Sequence, residues 1–224
     1  MKKFLLIISA LVLLCALWLL SKPTMSEIGI AYAKPAEAGQ ALTVTWFGVT
    51  TLLIDDGVTQ ILIDGYFSRP SLLDIALERA IEPDQAAIEG MLDRFEINRL
   101  KAVIPVHSHF DHALDSAEVA KQTGAQLMGS DTTAQIAAGS HLPITQIKVI
   151  ETETIYPVGA FEVTFYPSQH APLASNSAIS GTVAAPLTLP APYTAWKLGQ
   201  AYTLVIAHPK GRMLIQGSAG FVPG

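Results

Sequence analysis

Only one cysteine, Cys15, occurs in the 224 residues, so the chain has no internal disulfide bond and no cysteine-based zinc site in its folded part. Charged residues are also few, at 15% of the chain, and the net charge is −5 without a cluster of lysines and arginines. This balance argues against nucleic acid as the main partner. No internal repeat occurs, and 50% of the residues are hydrophobic, enough for one domain with a substantial core.

The N-terminal segment, residues 1–21, is typical of an export signal or of a membrane anchor. Lys2 and Lys3 precede the uninterrupted apolar run Phe4–Leu20. The run is long for the core of a signal peptide and at the short limit for a helix that spans a bilayer. Small residues before Lys34 offer a cleavage site, but it lies far from the run, and we favour an uncleaved inner-membrane anchor. Both alternatives place the rest of the chain in the periplasm, because the lysines stay inside.

The rest of the chain is predicted to divide into a linker, residues 22–41, and one domain, residues 42–224. A β-meander is predicted over 42–64, followed by helical spacing of apolar residues and then by further strands. Helices are predicted at 72–81 with Ser71 as N-cap, after Pro83, at 115–123 and at 131–138. Strands are predicted at 102–106, 126–128, 146–150, 154–157, 161–166, 201–206 and 212–216. This order indicates two β-sheets covered by helices, an α/β fold.

The most informative segment is the hexapeptide His107-Ser108-His109-Phe110-Asp111-His112, which holds half of the chain's six histidines. Imidazole nitrogens and a carboxylate oxygen together suit zinc and its neighbours in the first transition row. In an extended loop, His107 and His109 point the same way because side chains at i and i+2 share a face. Asp111 and His112 then turn toward a second position. The hexapeptide therefore predicts a site for one metal ion, or for two that lie close together.

The hexapeptide matches the pattern H-x-H-x-D-H and thereby resembles the metallo-β-lactamase superfamily. The opening strands, with Asp55 and Asp64 at their ends, resemble the branch that contains N-acylethanolamine phospholipase D-like and ascorbate-lactone hydrolases. The resemblance extends from Leu42 to the last residue. It implies an αββα sandwich, and one that is incomplete at its C-terminus. The hexapeptide is specific for the superfamily but not for a substrate.

The resemblance also implies ligands from distant segments. His170, which follows a predicted strand, is the implied third ligand of a first metal with His107 and His109. Asp111 and His112 would hold the second metal. Asp64 occupies the place of an aspartate that orients a ligand histidine, a role that fixes its tautomer and ring orientation. The other histidines, His141 and His208, are predicted to lie in a loop and a turn.

The implied second metal set is incomplete. Ser218, in Gly217-Ser218-Ala219-Gly220, stands where the family has a bridging aspartate, and no histidine follows His208. A neutral hydroxyl cannot bridge two cations as strongly as a carboxylate. The chain stops four residues after this turn, so either the sequence is a shortened version of a longer protein or the second site is degenerate. We favour the first alternative, because Phe221-Val222-Pro223-Gly224 is not typical of a natural C-terminus.

The function implied by the resemblance is that of a metal-dependent hydrolase. Metal-bound hydroxide would attack an ester, lactone, amide or phosphodiester, with Asp111 orienting the water. Zn²⁺ is the implied cofactor, in one or two copies, and Mn²⁺ or Fe²⁺ would suit the same ligands. The alternative is a metal-binding protein of this fold without turnover. The segment 171–192 either lines the substrate cleft or is a loop without a role, and its apolar residues favour a small-molecule or lipid-like substrate.

Overall fold

The structure is a computed structural model that describes residues 2–20, 42–172, 178–218 and 220. Two units are distinguished, Met1–Lys34 and Pro35–Gly224, and the first contains helix α1, Lys2–Leu20. Within the described ranges, no helix combines the length and the apolar character that a membrane crossing requires. The predicted linker, 22–41, lies outside the described residues. Export through residues 1–21 stays a prediction.

Short strands and helices alternate in the second unit. The strands are β1 (Thr43–Trp46), β2 (Leu52–Asp55), β3 (Gln60–Ile63), β4 (Ala80–Ile81), β5 (Leu100–Ile104), β6 (Gln126–Gly129), β7 (Ile147–Val149), β8 (Ile155–Val158), β9 (Phe161–Ser168), β10 (Ala191–Pro192), β11 (Ala201–His208) and β12 (Gly211–Ile215). The helices are α2 (Leu72–Ala76), α3 (Gln85–Arg94), α4 (Phe110–Ala113), α5 (Ser116–Thr123) and α6 (Asp131–Gly139), with 3₁₀ turns at Ile144–Gln146 and Tyr193–Ala195.

Two main sheets stack on each other. The first has six strands in the order β1-β2-β3-β5-β6-β7, and the second has four in the order β12-β11-β9-β8. In the first sheet, the pairs from β3 to β7 are parallel and the meander β1 to β3 is antiparallel. The second sheet is antiparallel throughout. Parallel neighbours require crossover connections, and α5 and α6 provide two of them.

The burial of the strands explains their sequences. β3 is buried at every position, and its sequence Gln60-Ile61-Leu62-Ile63 does not alternate, because both faces of the first sheet are covered. β9 alternates, with Phe161, Val163 and Phe165 buried and the intervening residues more exposed, because only one face of the second sheet meets the core.

Two apolar layers hold the sandwich together. The layer between the sheets joins residues of the first sheet to residues of the second: Ile54, Ile61, Ile63 and Ile104 to Phe161, Val163, Phe165, Leu204 and Ile206. The layer beneath the helices joins Leu53, Leu62, Val103 and Leu127 to Ile88, Val119, Ala120 and Ala137. Burying one large apolar side chain contributes about 1.5–3 kcal/mol, so these layers dominate the stability of the unit. The described residues thus form a helix layer and two sheets of the predicted sandwich.

The predicted helix at 72–81 is wrong in its second half. Ser71 caps α2 as expected, accepting a hydrogen bond from the N–H of Asp74, but the helix ends after Ala76. Glu78 has a positive φ of 48°, and the next residues form β4, which pairs with β10. Ile81 is buried there in an apolar cluster with Trp196. Long-range pairing and burial therefore override the local helical spacing.

The predicted strand at 146–150 is shorter and later than expected. The chain makes a 3₁₀ turn at Ile144–Gln146, and β7 covers only Ile147–Val149. The side chain of Gln146 accounts for the turn, because its amide donates to the carbonyl oxygens of Ala120 and Ala125 at 2.9 and 2.8 Å.

Candidate metal centre

The candidate site lies where parallel strands of the first sheet end. Asp64 directly follows β3, and its N–H donates to the carbonyl oxygen of Ile104, the last residue of β5, at 3.0 Å. In return the Asp64 carboxylate accepts the N–H of Val106 at 2.9 Å. The hexapeptide begins one residue later. The carboxyl ends of parallel strands are the usual position of functional sites in α/β sheets, because loops from neighbouring strands meet there.

Hydrogen bonds on both sides hold the histidine loop. Ser108, between the first two histidines, is fully buried, and its hydroxyl lies 2.9 Å from that of Thr133 in α6. Its N–H donates to the carbonyl oxygen of Leu198 at 3.0 Å. After His109 the chain makes the single helical turn α4, in which the N–H groups of His112 and Ala113 both donate to the carbonyl oxygen of His109. The turn returns His112 toward His107.

Three imidazoles meet at the first metal position. His107 Nε2 lies 2.9 Å from His109 Nδ1, and the His170 ring centroid lies 4.7 Å from that of His107 and 5.0 Å from that of His109. One ligand atom from each of the three side chains falls within 4.8 Å of the others. His170 follows the end of β9, so the second sheet supplies the third member of the set.

Hydrogen bonds to the outer nitrogens determine which imidazole nitrogen is free. His109 Nε2 lies 3.2 Å from the carbonyl oxygen of Ile179, and His170 Nδ1 lies 2.8 Å from that of Ala171. Because a carbonyl oxygen only accepts, we assign the proton to these nitrogens. His109 Nδ1 and His170 Nε2 therefore keep their lone pairs for a metal. This arrangement of outer acceptors is typical of metal-binding histidines.

The environment favours the neutral form of His107 and His109. Burial lowers the pKa of His107 far below its usual value, and the neighbouring histidines lower it further. Burial also lowers the pKa of His109, to about 4. Only the neutral imidazole has a lone pair for a metal ion, so at neutral pH no proton has to be displaced from these two side chains. The donor set thus fits a transition-metal ion such as zinc.

The second set shares His107 with the first. His107, Asp111 and His112 place one ligand atom each within 4.8 Å of one another. His112 Nε2 lies 3.6 Å from the carboxylate of Asp111, and His112 Nδ1 lies 2.7 Å from that of the fully buried Asp64. Burial disfavours the charged form of His112, but the charge and hydrogen bond of Asp64 outweigh burial and raise the pKa of His112. Asp64 therefore orients His112 with Nε2 toward the site.

Ser218, which the resemblance puts in the place of a bridging aspartate, lies beside the second set. Its hydroxyl is 3.3 Å from His112 Nε2. The turn is fastened to the His170 segment, since Ala171 N–H donates to the Ser218 carbonyl oxygen at 2.8 Å and Gly220 N–H donates to that of Gln169 at 2.6 Å. A hydroxyl therefore occupies the place next to His112 where a carboxylate would bind a second cation more strongly.

Replacing Ser218 with aspartate is expected to raise the affinity for a second metal equivalent about tenfold, or ~1.4 kcal/mol, because an anionic oxygen replaces a neutral one. The measurement is a titration of the full chain with zinc and with manganese, followed by calorimetry. Ser218→Asn is the matched control, since it has the shape of aspartate without the charge. Equal second-site affinity in the wild type and both variants, with unchanged circular dichroism, would show that this side chain does not face the metal ions.

The predicted loop 171–192 is described in part, since 173–177 lie outside the described residues. Its carbonyl at Ile179 accepts from His109 and also from Leu198 N–H, the latter at 2.8 Å. Val183, Leu187 and Leu189 pack against the buried cluster that contains Trp196, as Phe110 does. Of the two roles left open for this segment, the contact with His109 favours a part in the site.

The predicted site residues converge, and the two histidines predicted to lie elsewhere do not join them. The converging residues are Asp64, His107, His109, Asp111, His112, His170 and Ser218. His208 instead lies 3.3 Å from Asp56 at the far end of β11, and His141 is exposed. Sequence reasoning missed the supporting contacts of Ser108, Thr133 and Ile179. Nothing in the sequence marks a backbone carbonyl or a common hydroxyl residue as part of a site.

Comparison with known proteins agrees with this geometry. A family model described as the metallo-beta-lactamase superfamily matches residues 44–185, more than half of the chain. The chain belongs to the metallo-beta-lactamase superfamily. The superfamily and the sandwich fold predicted from the sequence are thereby confirmed.

Curated relatives share only part of their length with this chain. A UPF0173 metal-dependent hydrolase from Methylobacterium nodulans is 27% identical over 149 residues, which cover 66% of this chain and 55% of that protein. One from Pyrobaculum islandicum is 26% identical over 146 residues, which cover 64% and 56%. The chain thus spans about half the length of the curated relatives it matches.

The solved structures that resemble this chain are more distant in sequence than the curated relatives. A metallo hydrolase from Ignicoccus hospitalis superposes with a TM-score of 0.49 at 16% identity, covering 80% of this chain and 61% of that one. A subclass B3 metallo-beta-lactamase from a soil metagenome library has a TM-score of 0.45 at 16% identity, with coverages of 81% and 62%. At this level of similarity, neither neighbour bears on the chemistry of this chain.

Proposed function

We propose that this chain is a metal-dependent hydrolase whose first metal, zinc, is held by His107, His109 and His170. The observation that carries the proposal is the convergence of three imidazoles within 4.8 Å, with the outer nitrogens of His109 and His170 engaged by backbone carbonyl oxygens. The name of the curated relatives, metal-dependent hydrolase, supports it. A bound metal would polarise the scissile group and lower the pKa of a water molecule at the site.

Asp111 is the residue we assign to proton transfer. Its side chain is 38% exposed, and its carboxylate lies 3.6 Å from His112 Nε2, at the edge of the site. A carboxylate in this position can accept a hydrogen bond from the attacking water and take up its proton. His112, held by Asp64, keeps a fixed orientation beside it. In this proposal the first set of histidines would hold the metal ion, and Asp111 would take up the proton of the attacking water.

The substrate we propose is a small or lipid-like molecule with an ester, lactone, amide or phosphodiester bond. A cavity of about 550 Å³ lies beside His170, with Gln169, Ser180, Leu198 and Gln200 among its lining residues. Cavities of this size are typical of small-molecule sites.

The experiment is hydrolysis of a panel of nitrophenyl esters, lactones and phosphodiesters by the zinc-loaded full chain and by His109→Ala. We expect turnover by the wild type that disappears with a chelator, returns with zinc and falls at least about 10³-fold in the variant. Elemental analysis after dialysis should give close to one tightly bound zinc per chain. Equal rates in the wild type and His109→Ala would contradict the proposal.

A second candidate function is metal binding without turnover, and the Ser218 hydroxyl at 3.3 Å from His112 Nε2 favours it. If the missing bridging carboxylate is essential, the wild type will bind zinc tightly and hydrolyse nothing in the panel. In that case Ser218→Asp, rather than the wild type, should show activity.

A further inference from the structure

Beside the metal site lies a pair of hydrogen-bond donors that the proposed mechanism does not use, Tyr66 and Arg69. Both belong to the segment that follows Asp64 and β3. Tyr66 is 6% exposed, and its ring meets that of Phe110 edge-on at 6.1 Å. Phe110 stands in the chain directly before Asp111. Tyr66 therefore packs beside the residue that precedes Asp111.

Hydrogen bonds hold the backbone of the segment that contains Tyr66. The buried carboxylate of Asp115 accepts hydrogen bonds at 2.6 Å from the N–H groups of Phe67 and Ser68 and from the Ser68 hydroxyl. Tyr66 N–H donates to the hydroxyl of Thr51 at 3.2 Å. These contacts fix the backbone on both sides of the Tyr66 side chain, so its position does not depend on a flexible loop.

Two contacts also fix the guanidinium of Arg69. Its Cζ lies 4.5 Å from the centroid of the Tyr66 ring, and its Nη2 donates to the carbonyl oxygen of Phe47 at 2.8 Å. Gly48 leaves room for the guanidinium, because a Cβ at this position would lie only 3.1 Å from Nη2 of Arg69. Stacking and one hydrogen bond leave the other N–H groups of the guanidinium available, and the side chain is exposed.

The Tyr66 hydroxyl and the available N–H groups of Arg69 have no acceptor among the described residues. Among the described residues, no carboxylate forms an ion pair with Arg69, and no acceptor lies within hydrogen-bonding distance of the Tyr66 hydroxyl. Burial raises the pKa of Tyr66 to about 12, although the charge of Arg69 lowers it, and the charge of Asp111 raises it further. The hydroxyl therefore stays protonated at neutral pH, within electrostatic range of the metal site. The Tyr66 hydroxyl and the remaining N–H groups of Arg69 can therefore donate to a ligand.

We propose that Tyr66 and Arg69 bind an anionic oxygen of the substrate, carried by a carboxylate or a phosphate group, beside the metal site. This inference rests on the proposed hydrolase function and narrows its substrate to an anionic one. A guanidinium matches both groups because its N–H donors form a planar fork. Imidazole ligands carry no negative charge, so the positive charge of a bound metal would add to that of Arg69. Tyr66 and Arg69 would then select and orient the substrate and would take no part in breaking its bond.

The test compares three para-nitrophenyl substrates with one leaving group: bis(para-nitrophenyl) phosphate, mono(para-nitrophenyl) succinate and the neutral para-nitrophenyl butyrate. The zinc-loaded full chain is compared with Arg69→Gln and Tyr66→Phe, the latter removing only the hydroxyl. We expect the ratio of anionic to neutral kcat/KM to fall about ten- to hundredfold in Arg69→Gln and less in Tyr66→Phe. The two anionic substrates separate phosphate from carboxylate recognition. Arg212→Gln, on the exposed strand β12, is the matched control and should leave the ratio unchanged.

Binding measured without turnover separates this inference from the hydrolase proposal. Calorimetry of the same proteins with inorganic phosphate and with succinate should show at least one anion bound more weakly, by about tenfold, in Arg69→Gln at unchanged zinc content. A wild type that hydrolyses no substrate would refute the proposed function, and anion binding would still decide the inference. Unchanged affinity for both anions in Arg69→Gln, or an unchanged substrate ratio in an active enzyme, would overturn it.

Discussion

Replacing His107 with alanine is expected to remove both metal-binding sets at once, with loss of hydrolysis below detection. His107 is the only described residue that belongs to the set with His109 and His170 and also to the set with Asp111 and His112. Loss of a residue that orients a ligand already lowers metal affinity about 10–100-fold, so loss of a shared ligand should lower it by more than ~100-fold. The measurement is zinc content after dialysis, together with a competitive chelator titration.

Two further histidine variants test whether the loss of zinc is specific to His107. His170→Ala removes a ligand of the first set only, so residual zinc should be held by the second set, His107, Asp111 and His112. His141→Ala is the matched control, because His141 is an exposed loop histidine outside both sets. Full zinc content in His107→Ala, with circular dichroism like that of the wild type, would refute the assignment of both sets.

Replacing Asp64 is expected to have the second largest effect, because one carboxylate serves both the fold and the site. It is fully buried, accepts from Val106 N–H at 2.9 Å and lies 2.7 Å from His112 Nδ1. Asp64→Ala should lower the free energy of unfolding by about 3–5 kcal/mol, the usual cost of leaving one partner of a buried pair alone. Urea unfolding of the metal-free protein measures this change.

Asp64→Asn separates the two roles. Asparagine keeps the size of the side chain and tolerates the positive φ of 63° at this position. Its amide can still accept from Val106, but its NH₂ group would face His112 Nδ1 and favour the proton on Nε2, the atom toward the metal. We expect second-site metal affinity to fall about 10–100-fold, with a smaller loss of stability than in Asp64→Ala. Equal losses of stability in the two variants, without any change in metal binding, would show that Asp64 only supports the fold.

The fold class could be predicted from the sequence because burial leaves a local pattern in each strand. β3 is apolar on both faces, and β9 alternates, since the first sheet is covered on two sides and the second sheet on one. The helix boundaries were harder to predict from the sequence. Apolar spacing at 72–81 predicts one helix, whereas the structure ends α2 at Ala76 and pairs β4 with β10. That strand pair joins residues more than a hundred positions apart in the chain, so no local pattern indicates it.

The sequence by itself determined the chemistry of the candidate site: its specified donors stand within six residues, where backbone geometry alone brings His107 and His109 to one side. Asp64, His170 and Ser218 could be named through the resemblance, but only the packing of the two sheets decides that they lie next to those histidines. Only the tertiary structure identified Ile179 as the acceptor for His109, placed Tyr66 beside Phe110 and placed Arg69 over the Tyr66 ring. The physical reason is range: a motif specifies donors through neighbouring residues, whereas orientation and access depend on contacts between segments far apart in the chain.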